Sequence, residues 1–235
     1  RLNIRDNKNN QNKLILPSNK DDIATLFDEH FDKTILALPV IGVFMFAVNP
    51  TMAAINTGIT GFLNSMGGSS KILLGCIVAG MMSIDMGGPL NKAAYVFGTA
   101  SIASGNYDVR AAVMIGGMIP PLAVALATTF FKKRFTSEER KSGVVNYIMG
   151  LCFITEGVIP FAAADPLRVI PSCVAGSAVA GGLSMLFGCT LRAPHGGIFV
   201  FPVVGNVIGY LIALAAGSLV GMLLLGVLKK DKVEE

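Results

Sequence analysis

FITEGVIPFAAADPLRVIPS, residues 153–172, sets Glu156, Asp165 and Arg168 inside a chain whose other long segments are apolar. A charge near the middle of a bilayer costs roughly 3 kcal/mol or more, so ionisable groups at that depth face an interior site or one another. Gly157, Pro160, Pro166 and Pro171 interrupt the same stretch, and each weakens a continuous helix. The segment therefore reads as broken helix around a polar interior.

The remaining composition fits a lipid environment. Hydrophobic residues make up 52% of the 235 and charged residues only 14%, with a mean hydropathy of +0.62; a soluble domain carries about a quarter charged residues. Residues 111–131 and 204–228 are uncharged, and each can cross a core that needs about 20 apolar residues. Residues 34–61 are uncharged as well. Residues 1–33 are polar and show no signal-peptide pattern, so insertion is expected to rely on internal segments. The expected organisation is a polar cytosolic leader over 1–33, a membrane domain over 34–228 and a cytosolic tail over 229–235. The expected fold is an all-α polytopic membrane protein with spanning helices and re-entrant or broken helical hairpins.

Charge placement orients the chain. The net charge is +4, with Lys132, Lys133, Arg134, Arg140 and Lys141 in one loop and Lys229, Lys230 and Lys232 at the C-terminus. The positive-inside rule puts both groups, and so the C-terminus, in the cytoplasm, with an even number of crossings between them. Topology accounts for these cations, and a nucleic-acid partner is not expected. Cys76, Cys152, Cys173 and Cys189 form no CxxC or Cys/His spacing; they read as packing residues, with no metal ligand set and no bound cofactor.

Along the chain, the segment from Thr34 is interrupted by Pro39 and by Asn49-Pro50, and is expected to break near Pro50. Residues 72–84 form a short apolar run leading into DMGGPLNKAAYVFG, the pattern of a re-entrant or broken helix. Residues 111–131 are expected to form a spanning helix kinked at Pro120-Pro121. Residues 144–164 and 169–191 are expected as two further spans flanking Asp165-Pro166, with Gly176, Ala180 and Gly181 allowing close helix approach. APHGGIFVFP, residues 193–202, is a second glycine-bounded polar element. Each of the two polar elements pairs a polar residue with Gly-Gly beside a short apolar run, and the two are expected to meet at one site.

Glu156 sits where a helix is expected to break, beside unpaired backbone groups that suit sugar hydroxyls, which both donate and accept hydrogen bonds. Its alternative is a structural ion pair with Lys92 or Arg168. Asp165 can cap the following helix or clamp Arg168 three residues on, and the pair serves either the loop or a ligand. His195 lies in a turn where backbone approaches a ligand closely; its imidazole is either a general base or a satisfied hydrogen-bonding group. Asn91 and Lys92 follow Gly87, Gly88 and Pro89. Lys92 is expected to lock onto Asp85 or Glu156, with an incoming phosphoryl group as the alternative.

DMGGPLNKAAYVFG, ITEGVIPFAAADPLRVIPS, GSAVAGGLSM and APHGGIFVF, in this order and spacing, resemble the fructose-type enzyme IIC of the bacterial phosphoenolpyruvate-dependent sugar phosphotransferase system, from about Ile35 to Leu228. The resemblance implies a permease of the bacterial cytoplasmic membrane that binds a hexose, carries it inward and presents it to a phosphocysteine on enzyme IIB. Enzymes IIB and IIA would act in trans, IIB supplying the phosphoryl group, and the permease would be a homodimer in lipid. The resemblance places sugar contacts, and catalytic assistance, on Glu156 and His195; Asn91, Asp165, Arg168 and Lys92 complete the substrate-binding candidates. Family members usually carry further hydrophobic segments upstream of the one at Ile35, so the chain is expected to be truncated at its N-terminus.

Two rival readings remain open from sequence. An ion- or proton-coupled secondary transporter would use Glu156 as its coupling carboxylate and deliver unmodified sugar. A non-transporting fragment or sensor subunit would follow from missing spans.

Overall fold

The computed structural model describes residues 71–229, together with Pro39, Phe46, Pro50 and Thr57. The expected leader, the break near Pro50 as a feature of its segment, and the tail beyond Lys229 lie outside the described residues. The chain divides into two compact units, Arg1–Met52 and Ala53–Glu235; the helices below belong to the second.

Seven α-helices follow in order among the described residues: α1 (Lys71–Ile84), α2 (Pro89–Ala103), α3 (Tyr107–Phe130), α4 (Ser137–Leu151), α5 (Ile159–Ala164), α6 (Pro166–Leu186) and α7 (Val207–Leu228). Three-ten turns occupy Lys132–Arg134, Thr155–Val158 and Gly197–Val203, and β1 (Thr190–Leu191) pairs antiparallel with β2 (Val204–Gly205). This is an all-α membrane fold with broken helical hairpins. Among the described residues α3, α6 and α7 are long and apolar enough to cross a membrane.

Helix α3 is the axis of the unit and packs against α1, α4, α6 and α7. It begins four residues before the expected segment, takes in Arg110, and runs on through Pro120 and Pro121. Small residues set its contacts. A Cβ on Gly116 would stand 2.5 Å from Ala79 Cα, so α1 and α3 touch backbone to backbone. Gly75 and Gly181 bring α1 against α6 in the same way, and Gly176 meets Gly217 between α6 and α7, as expected for helices that associate in lipid through small residues. Between α1, α3 and α6, Ser177 donates to the Gly116 carbonyl at 2.9 Å and pairs with the Ser83 hydroxyl at 2.5 Å, all buried.

One expected span is corrected. Residues 144–164 do not form a continuous helix: α4 starts earlier, at Ser137, and stops at Leu151. Thr136 fixes its start through a capping box with Glu139. Its end is set by Phe153, which takes φ 63°, and by the three-ten turn that carries Glu156. A side chain in the left-handed region cannot continue an α-helix. Helix α6 likewise opens at Pro166, three residues before its expected start, and closes at Leu186.

Among the described residues of the two basic groups, Arg134 reaches the chain at Lys229. Arg134 donates to the carbonyls of Val227 and Lys229 at the end of α7. At the opposite end, Asn206 caps α7 through Gly209 N at 3.1 Å and donates to the Phe187 carbonyl at 2.7 Å. With the β1–β2 pair, this closes the base of the loop that presents Pro194 to Gly197.

Candidate functional site

Three polar elements build the site. The first is the turn between α1 and α2, where Met86 and Gly87 both take positive φ, 46° and 111°. Asp85 holds the turn: Oδ2 accepts Leu90 N at 2.7 Å and Oδ1 accepts Asn91 N at 3.0 Å. These are donors that a helix start leaves without an intrahelical partner. Gly88 lets the carboxylate reach them, since a Cβ there would lie 2.6 Å from Asp85 Oδ2. Asn91 is buried and donates from Nδ2 to the Met82 carbonyl at 2.6 Å, stitching the turn to the end of α1.

The expected lock on Lys92 is corrected here. Asp85 is committed to backbone amides, Lys92 is exposed, and among the described residues no carboxylate pairs with it.

The second element is the three-ten turn Thr155–Val158. Thr155 and Val158 are buried and anchor it, while Glu156 between them is exposed. The Glu156 side chain lies over Gly87, where a Cβ would sit 2.9 Å from Oε1 and 3.3 Å from Cγ. Only glycine in the first element lets the carboxylate settle there. Neither structural partner considered for Glu156 is taken: Lys92 is exposed, and Arg168 pairs with Asp165 at 2.9 Å.

The third element is the loop at Pro194 and His195. His195 is exposed, with its ring edge-on to Phe153 at 5.2 Å and tilted against Tyr95 at 6.3 Å. Tyr95 and Phe153 stack on one another at 6.2 Å. Phe153 belongs to the segment leading to Glu156 and Tyr95 to the helix that opens at Pro89. The two glycine-bounded elements thus converge, as their shared pattern implied.

Arg110 was not singled out in the sequence. It is 0% exposed and donates to the Pro194 carbonyl and, at 3.5 Å, to the Tyr95 carbonyl. Its guanidinium lies 4.6 Å from the Tyr95 ring centroid and 5.6 Å from that of Phe153. The available signal was a lone arginine one residue ahead of a long uncharged run.

Asp165 and Arg168 form a local pair instead of a cap. Asp165 stands at the start of α6, but its side chain makes no capping hydrogen bond there. Its carboxylate accepts from Arg168, whose carbonyl in turn accepts the Ser172 hydroxyl at 2.7 Å.

An all-helical membrane unit with these motifs at one convergence of broken helices agrees with the family comparison: the family model described as "Phosphotransferase system, EIIC" matches residues 20–176. The chain belongs to this EIIC family. It is 50% identical over 209 residues to the "PTS system fructose-specific EIIABC component" of Bacillus subtilis, covering 86% of this chain and 33% of that protein. It is also 50% identical to the "Fructose permease IIC component" of Bacillus amyloliquefaciens, covering 86% of this chain and 68% of that one. The "PTS system fructose-specific EIIB'BC component" of Escherichia coli is 44% identical over 86% of this chain and 38% of its own length. The chain thus spans about a third of the multicomponent relatives. No solved structure matches it. Within the EIIC family frame, Glu156 and His195 are exposed side chains on the second and third elements, beside Gly87 and the Tyr95–Phe153 stack respectively.

Proposed function

We propose that this chain is the sugar-translocating part of a fructose phosphotransferase permease in a bacterial cytoplasmic membrane. The observation that carries the reading is the exposed Glu156 carboxylate lying over Gly87, in a turn shared with the Asp85 loop. It is supported by the fructose-specific names of relatives that match most of the chain. In this reading Glu156 and His195 replace part of the water shell of a hexose, with Asn91 and Lys92 at its edge. Asp165 and Arg168 shape the adjoining segment.

The chemistry is a phosphoryl transfer. The phosphocysteine S–P bond of enzyme IIB breaks as a sugar hydroxyl oxygen forms the new P–O bond, and the hydroxyl proton leaves to a base. Such a reaction depends chiefly on placement and charge stabilisation. Glu156 or His195 accepts the proton, enzyme IIB supplies the phosphoryl group after receiving it from IIA, and no cofactor is bound. The basic end formed by Arg134 and Lys229 faces the cytoplasm. Apolar residues exposed on α7, such as Ile208, Ile212 and Val227, face lipid or a second copy in a homodimer.

Radiolabelled fructose uptake into membrane vesicles carrying the chain, with and without phosphorylated enzyme IIB, tests the reading. Donor-dependent fructose phosphate inside the vesicles is the expected result. Accumulation of unmodified fructose without donor would assign the chain to secondary transport, and a Glu156→Gln variant with full binding and uptake would remove Glu156 from the site.

A further inference from the structure

The buried Arg110 has no part in the sugar chemistry proposed above, yet its surroundings all belong to the site. A guanidinium that is fully out of water is costly unless its donors are met. Among the described residues no carboxylate meets this one. Its NH groups instead go to two main-chain carbonyls, those of Tyr95 and Pro194, and Nε has no hydrogen-bond partner. The cation is held in addition by the faces of Tyr95 and Phe153, an arrangement that gains most when desolvated.

Both sets of contacts lead to His195. The Pro194 carbonyl belongs to the peptide group that ends at His195 N, and it accepts a second hydrogen bond from the Tyr95 hydroxyl at 3.1 Å. That carbonyl is therefore pinned from α2 and from α3 together. The imidazole packs on Phe153 and Tyr95, the two rings that Arg110 engages. Gly196 and Gly197 follow with φ of 142° and 56°, so the chain after His195 turns away at once and main-chain pinning falls on the residue before it.

We infer that Arg110 is a positioning residue for His195: through the Pro194 carbonyl and the Tyr95–Phe153 pair it fixes the imidazole at the sugar site without touching sugar itself. The sugar role of His195 rests on the proposed function; the placement of the ring by Arg110 does not. A lysine cannot replace it, because one ammonium cannot span two carbonyls and two ring faces as a planar fork does.

The test uses the full chain in lipid nanodiscs, with Arg110→Lys and Arg110→Gln compared with the parent. Gln removes the buried charge, so it keeps the test open if the lysine variant does not fold. The chain has two histidines, His30 and His195, and the imidazole carbon-proton signals of both are read by NMR on histidine-labelled protein. In the parent, His195 carries the ring-current displacement of its aromatic neighbours. In a folded Arg110 variant it moves toward the free-histidine position while His30 stays. An unmoved His195 signal in a folded variant overturns the inference.

A double-mutant cycle on fructose affinity provides the second reading. Arg110→Gln is expected to weaken binding about tenfold beside His195, and less than about twofold in a His195→Ala background. Equal losses in both backgrounds would show Arg110 acting apart from His195 and overturn the inference. Unchanged affinity in His195→Ala alone would refute the sugar role of His195, with the NMR result still deciding the positioning.

Discussion

Lys229 donates to Glu139 Oε1 at 3.0 Å across 90 residues of chain, while Oε2 of the same carboxylate accepts Thr136 N at 2.8 Å. One side chain thus completes the cap of α4 and neutralises a lysine that is 2% exposed and lies 4.1 Å from the Phe135 ring centroid. Removing one partner of a buried pair leaves an uncompensated charge, at about 3 kcal/mol or more. Glu139→Gln keeps a capping side chain but not the charge, and is expected to lower thermal stability in detergent by that order. Lys229→Met leaves the carboxylate without its lysine, but Glu139 is more accessible and still accepts Thr136 N, so this variant is expected to cost less. A Glu139→Gln variant as stable as the parent would mean that the ion pair is not what Glu139 contributes.

Asp85 is a second anchor whose loss is local. Its two bonds to the amides of Leu90 and Asn91 do the work of a helix cap, and losing a cap costs about 1 kcal/mol. Asp85→Ala should lower the melting temperature modestly and weaken fructose binding more than that stability loss implies, because Gly87 beneath Glu156 shares the turn. Asp85→Asn, which retains an acceptor, should sit between the two. Binding unchanged in a destabilised Asp85→Ala would separate the turn from the site.

Close helix packing predicts opposite outcomes at two glycines of neighbouring helices. Gly116→Ala drives a methyl into the Ala79 backbone, and overpacking of this kind costs about 1–3 kcal/mol. Gly80→Ala places its methyl 3.6 Å from Val174 Cγ1, an ordinary contact, in the middle of α1. There the gain in helix propensity should leave stability equal or higher by up to about 1 kcal/mol. Thermal unfolding of the two variants side by side checks the backbone contact directly.

The Asp165–Arg168 pair is partly exposed, with side chains 16% and 36% accessible, so its worth is at most about 1 kcal/mol. Asp165→Ala, Arg168→Ala and the double variant should therefore lose similar, small amounts of stability. Fructose affinity should fall by no more than about fivefold in each. A loss of a hundredfold in Arg168→Ala alone would make the guanidinium a sugar or phosphoryl ligand.

Much of this architecture was readable from composition, because an uncharged run such as 204–228 has few homes other than lipid. The polar elements at Asp85 and His195 were legible as breaks, since glycine and proline act locally. The division of 144–164 was harder. The glycines at 143 and 150 face α3, where Gly143 meets Thr128 and Gly150 meets Leu122, while Asn146 is buried against Gly157, and hydropathy alone does not separate such a helix from a span. The fate of Asp165 was undecided in sequence because capping and pairing need the same carboxylate; geometry awarded it to Arg168. Arg110 stayed hidden since a charge at the edge of an apolar run looks like an interfacial anchor until the loop that folds over it is known.

The central place of α3 carries a consequence for how the chain is made. Its most apolar window is 94% buried by protein, against 56% for α6 and 44% for α7, and it holds a buried arginine and two adjacent prolines. Emerging from a ribosome, α3 precedes both helices that later enclose it. Ala79 and Tyr95, which meet Gly116 and Arg110, are already made when α3 emerges, but the Pro194 carbonyl that completes the guanidinium's contacts is not. A chain arrested before Val207 therefore lacks the α7 face that packs on α3, and α3 reaches its full burial only once α6 and α7 are in place.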